Sequence, residues 1–249
     1  MAFNWKHSLI IVCDIVIAAY LILTVTAFNK PAEKATVCTE VIIDIDDGVT
    51  DGFLNANEIK RILETGKIYP LSKPMNSVDA RTIEETLRKN PFVESVECYK
   101  TQSGHVCISL RQRIPVAHVM TDGDNYYIDS KGSILPGSRY ATDIIIVTGK
   151  INKKYAQKQL PKVANEIIDD TFWQNQVEQI NILADGTVEL VPRVGDHIIY
   201  LGAPVNVKKK LERMRKFYIY GLNKAGWNKY SYISVEFDNQ IICKKKLRR

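Results

Sequence analysis

The chain has 249 residues, of which 45% are hydrophobic and 25% charged, and its formal net charge is +6. This is the composition of a folded protein with one or two cores, and it excludes a disordered or fibrous chain. The positive excess is modest and partly gathered at the end (Lys244, Lys245, Lys246, Arg248, Arg249), which suits a solvated tail or contact with an anionic lipid or polymer rather than a nucleic-acid-binding domain.

The first element is apolar. Leu9 to Phe28 spans 20 residues in which only Asp14, Thr24 and Thr26 are polar. A helix of that length reaches roughly 30 Å, the thickness of one hydrocarbon core. Val25-Thr26-Ala27 is similar to a signal cleavage site. The apolar run is longer than a signal h-region, however, so the sequence predicts an uncleaved transmembrane anchor over 9–28 behind a short cytoplasmic leader, 1–8. Lys6 precedes the run and Lys30 and Lys34 follow it, a nearly flat charge bias. The short leader and the lack of a second span place the N-terminus inside and the later domains outside. Asp14 is costly in lipid; it either reaches the inner interface or meets a polar group on a partner's membrane helix.

A polar linker, 29–36, leads to a first strand over 37–46. The aspartates that follow resemble a calcium loop, but the twelfth position from Asp44 is Asn55 rather than Glu, so the EF-hand template fails and a solvated turn is expected. A helix then starts at Asn55, with Glu58 three residues on, Ile59, Ile62 and Leu63 on one face, and Gly66 as the stop. A second helix is capped by Asn76 or Ser77, buries Val78, Ile83 and Leu87, and ends at Asn90-Pro91. A hairpin follows over 92–113. Alternation turns Val96, Cys98, Val106, Ile108 and Leu110 inward and Cys107 outward. Cys98 and Cys107 therefore lie on opposite faces and do not form a disulfide; Cys98 belongs opposite Ile108.

Pro115 lacks a backbone N–H and marks the seam after this strand–helix–helix–strand–strand module. Strands are expected at 116–120, within 125–135 and at 143–149, and helix within 152–170 with Pro161 in a first turn or at a kink. A hairpin turns at Asp185-Gly186, and another strand covers 197–202. An amphipathic helix from 204 to 226 buries Val207, Leu211, Met214 and Tyr218 and shows Lys208, Lys209, Arg213 and Lys216 to solvent. A terminal hairpin turns at Asp238-Asn239, with Ile233, Val235 and Phe237 on one face. The fold class is α+β: the membrane helix, the first module over 37–114, a β-rich domain with flanking helices over 115–243, and a basic tail over 244–249.

Catalytic signatures are lacking. His105, His118 and His197 are scattered, and there is no GxSxG, HExxH, P-loop or dinucleotide glycine pattern. No cofactor or metal is expected, and the chain reads as a non-enzyme.

The ordered series "NPFVESVECYK", "HVCISLRQRIPVAHV", "YYIDSKGSIL", "IIIVTG", "VELVPRVGDHIIYLG" and "ISVEFDNQIIC" resembles the FtsQ/DivIB cell-division family, over nearly the whole chain. The resemblance implies that 37–114 is a POTRA-like domain. Where the family has Glu before the x-x-Pro-Val-Ala run, this chain has Gln112. The resemblance further implies a non-catalytic scaffold at the septum of the inner membrane. It would recruit an FtsB–FtsL complex through the C-terminal sheet edge, and other division proteins through the POTRA-like domain and membrane helix. Its implied partner-binding residues are Tyr232, Phe237, Asn239, Ile241 and Cys243, with Asp14 as the candidate in the membrane. Phe237 also fits a core position. Two other readings are an envelope protein that binds unfolded or secreted chains through the POTRA-like domain, and a membrane-anchored envelope hydrolase.

Overall fold

The computed structural model describes residues 5–28, 36–46, 53–121, 123–137 and 144–246. Most of the linker (29–35), the aspartate-rich turn (47–52) and the end of the basic tail (247–249) lie outside the described residues. Helix α1 (Trp5–Phe28) covers the expected anchor. Its described side chains, 12–25, are exposed except for Thr24, which is half-buried. Among the described residues, no helix is long and apolar enough to cross a membrane.

The first module is a three-stranded sheet backed by two helices. Strand β1 (Glu40–Asp46) lies parallel to β3 (His105–Gln112), and β2 (Val93–Lys100) pairs antiparallel on the other side of β3. The strand begins at Glu40 rather than 37, because Val37 instead makes an isolated bridge with Pro74. Helix α2 (Ala56–Thr65) is capped by Asn55, whose Oδ1 accepts from the Glu58 N–H at 2.9 Å. Helix α3 (Ala80–Arg88) corrects the expected cap. Ser77 donates its hydroxyl to Pro74 in a turn, and Asp79 instead accepts from the Arg81 N–H and the Thr82 hydroxyl. Ile59, Leu63, Ile83 and Leu87 pack against Val96, Val106, Ile108 and Leu110 of the sheet. Cys98 faces Ile108, and Tyr99 faces Cys107. The cysteines are free.

The second module is a nine-stranded sheet ordered β12-β11-β10-β9-β8-β7-β4-β5-β6. In chain order its strands are β4 (Pro115–Met120), β5 (Asn125–Asp129), β6 (Ile134–Pro136), β7 (Ile145–Gly149), β8 (Val177–Ile182), β9 (Val188–Pro192), β10 (Ile198–Gly202), β11 (Tyr230–Ser234) and β12 (Ile242–Lys245). Helices α4 (Lys153–Lys158), α5 (Leu160–Ile168) and α6 (Thr171–Gln176) follow β7, and α7 (Val207–Lys216) follows β10. Pro161 sits in the first turn of α5, where its missing N–H costs nothing. Leu160, Val163, Ile167, Trp173, Leu211 and Met214 form one core with Val147, Ile180, Leu190, Ile199 and Ile233 of the sheet.

A small third cluster joins the modules. Phe53 stacks on Phe92 (ring centroids 5.1 Å apart) and meets Tyr127 edge-on at 5.6 Å, beside buried Leu135. Gln112 is buried just before the seam, and its Oε1 accepts from the Leu54 N–H at 2.8 Å. Arg113 donates to Asp129 at 3.0 Å, and Lys131 is paired with Glu94. Asp129 also accepts from the backbone N–H groups of Lys131 and Ser133, closing the turn after β5. Gly132 is the fourth residue of that Asp-Ser-Lys-Gly turn. Its φ is +85°, and a Cβ there would stand 2.1 Å from the Gln157 carbonyl oxygen, so a side chain is excluded.

Candidate partner-binding edge of the terminal sheet

The end of the chain builds the candidate site. Helix α7 has an apolar stripe of Val207, Leu211 and Met214, all buried. It runs into a π-helical segment, Phe217–Leu222, which buries Tyr218 and leaves Tyr220 exposed at 69%. Lys210 is buried; its ammonium donates to the carbonyls of Leu201 and Ala203 at 2.7 and 2.9 Å. Burial lowers its pKa.

Arg213 ties this helix to the terminal hairpin. Its guanidinium donates to the Val235 carbonyl at 2.6 Å and pairs with Asp238 at 3.4 Å. The chain leaves β11 at Ser234, and the expected extension of that strand to Phe237 does not form. Ile233 and Val235 are fully buried, but Phe237 is 50% exposed, so its core reading is corrected. Asn239 takes the left-handed conformation (φ 64°) at the turn. An Asn tolerates this better than most residues because its short amide bonds locally.

Between the helix and the turn lies an open groove of about 490 Å³, lined by Arg213, Lys216, Phe217, Tyr220, Asn239 and Ile241 among others. Its floor is aromatic and aliphatic, and its charged side chains are cationic. Next to it runs β12, which pairs with β11 and has no further strand beyond it among the described residues. Such an edge presents backbone N–H and C=O groups that an incoming strand can pair. Ile242 is 50% exposed there, and Lys244 and Lys245 are exposed.

The structure separates the sequence-derived candidates. Phe237 and Asn239 are exposed at the turn, and Asn239 and Ile241 line the groove. Ile241 and Cys243 pack against the core, and burial pushes the Cys243 thiol up. Tyr232 belongs to the neighbouring sheet surface. Its ring stacks on Tyr200 at 5.8 Å, its hydroxyl donates to Glu189 at 3.2 Å, and burial pushes its phenol well up. Asp14, in α1, lies far away in the chain and is exposed. Ile242, Tyr220 and Arg213 complete the site without having been singled out for it. For Ile242 the alternation with Ile241 and Cys243 was the available signal. Among the described residues, no group of three or more His, Cys, Asp or Glu side chains could hold a metal ion.

Family models match both modules. One described as "FtsQ/DivIB, C-terminal related" covers residues 114–244, and a POTRA-like domain model covers 36–111. The chain is also similar to the curated "Cell division protein FtsQ" of Geobacter sp. (strain M21), 27% identical over 191 residues. That match takes in 69% of this chain and 65% of the Geobacter protein. With a match over more than half of its length, carried by the sheet that forms the candidate edge, the chain belongs to the FtsQ/DivIB family.

Proposed function

We propose that this protein is a non-catalytic scaffold of the bacterial division machinery, held at the inner membrane by residues 9–28 and enriched at the septum. Its edge strand β12 takes up a strand of an FtsB-type protein in an FtsB–FtsL complex. The groove beside β12 receives the flanking residues of that partner. The POTRA-like domain and the membrane helix, with Asp14, contact other division proteins. Through these contacts the protein links early and late division proteins and helps control septal peptidoglycan synthesis. One observation carries this reading. In an FtsQ/DivIB chain, the terminal strand is, among the described residues, an edge of the sheet, bordered by exposed Phe237, Ile242 and Tyr220.

A photo-crosslinking residue placed at Ile242 in dividing cells tests it. The expected product is a covalent adduct to the FtsB-type protein, absent when the same residue is placed at exposed Leu71 of the POTRA-like domain. Equal adducts from both positions, or none from Ile242, would contradict the proposal.

A further inference from the structure

His197 lies just before β10, only 2% exposed, inside an aromatic box. Its ring meets Tyr218 edge-on at 5.5 Å, and Tyr218 in turn packs on Trp227 at 4.9 Å and Trp173 at 5.6 Å. Gly195 closes the other side; a Cβ there would stand 2.7 Å from the imidazole Nδ1. His197 Nε2 is 2.7 Å from the Tyr218 hydroxyl. The other ring nitrogen, Nδ1, is buried without a partner.

The loop that carries this histidine is tied to the end of β12. Lys246, just past that strand, pairs with Asp196, the residue before His197, and its backbone N–H donates to Lys229. The charged groups that act on the imidazole are the Lys246 ammonium from the strand end and the Asp196 carboxylate from its own loop.

We propose that His197 is a proton-operated latch on the terminal edge: when it takes up a proton, the end of β12 comes loose. The added proton makes both ring nitrogens donors, and Nδ1 has no acceptor in reach. It also places a cation in a desolvated box beside Lys246. Burial and Lys246 accordingly lower the pKa of His197, while Asp196 opposes them. Opening the strand end removes Lys246 and admits water, so the open form accepts the proton at the ordinary value of about 6.5.

The sign follows from linkage. The closed form is neutral and the open form binds the proton, so closed-form stability is intact above pH 6.5 and falls as pH drops below it. With an open-form value of about 6.5 and a lower closed-form one, the opening equilibrium rises between pH 7.5 and pH 5.5, by at most about tenfold. Resting on the docking function proposed above, the latch makes partner uptake by β12 weaker in acid.

Hydrogen exchange read by mass spectrometry on the full chain in detergent, corrected for intrinsic rates, tests the latch without any partner. A failure there is therefore separate from a failure of the docking reading. The expected result is a rise in opening, at most about tenfold, for peptides covering 240–246 between pH 7.5 and 5.5, with strands β2 and β3 unchanged. In His197→Gln, which keeps a hydrogen-bonding amide toward Tyr218 but cannot titrate, the rise disappears. An unchanged β12, an equal rise in β2 and β3, or a rise that persists in His197→Gln would overturn the proposal. If the variant does not fold, the wild-type comparison decides alone.

Discussion

At the scale of single residues, the most informative positions are buried polar groups with one task each. Gln112 is one: its Oε1 takes the Leu54 N–H inside the seam. Gln112→Leu leaves that N–H unpaired and is expected to cost about 1–3 kcal/mol, read from urea unfolding. Cys98 makes a second case. Burial, reinforced by the Glu84 carboxylate, pushes its thiol up to about 11. At pH 8 its thiolate is scarce, so a maleimide should label partly exposed Cys107 well before Cys98, and raising the pH toward 11 should narrow the gap. Labelling of Cys98 first would contradict its placement. Phe237, half-exposed outside β11, is expected to tolerate Phe237→Asp within about 0.5 kcal/mol in a thermal melt.

At the scale of elements, the alternation and turn signals were legible in the sequence because they are local. Cys98 lies opposite Ile108 since period-two alternation and the five-residue interval between Lys100 and Val106 leave one register that keeps both apolar sets inward. The α7 stripe was legible for the same reason. Three features were not. Asp79 displaced the expected caps of α3 because Asn76 and Ser77 are one turn too early, and cap candidates that close together are decided by backbone geometry. Lys210 is buried because two carbonyls at the end of β10, those of Leu201 and Ala203, converge on its ammonium, a tertiary coincidence without a sequence mark. Phe237 continued an alternating run, but Arg213 captures the Val235 carbonyl and turns the chain out of the sheet. The edge strand itself is protected by exposed Lys244 and Lys245, charges that discourage pairing with the wrong chain. Replacing both with threonine is expected to produce concentration-dependent self-association in sedimentation velocity, where the wild type shows less.

At the scale of the whole molecule, the seam decides how the two modules act together. Phe53, Phe92, Tyr127 and Leu135 exclude water between them, and the Arg113–Asp129 pair lies at the same boundary with the Asp129 side chain only 5% exposed. Phe53→Ala is expected to cost about 3–5 kcal/mol and to split a single calorimetric unfolding transition into two. The resemblance read in the sequence rests on the order of many short motifs, several of which have physical causes in the structure. The Asp-x-x-Gly turn exists to bond two backbone N–H groups and to let Gly132 approach Gln157, and Pro115 opens β4 where the ladder changes partner.

The central claim is that β12 and its groove bind a division partner. Isothermal titration calorimetry of the full chain in detergent against the soluble part of the same organism's FtsB–FtsL complex addresses it most directly, with Phe237→Asp as the paired sample. The account predicts binding by the wild type that is weakened at least tenfold by the substitution, while the thermal transition stays in place. Equal affinity in the two samples, or no binding by the intact wild type, would contradict it.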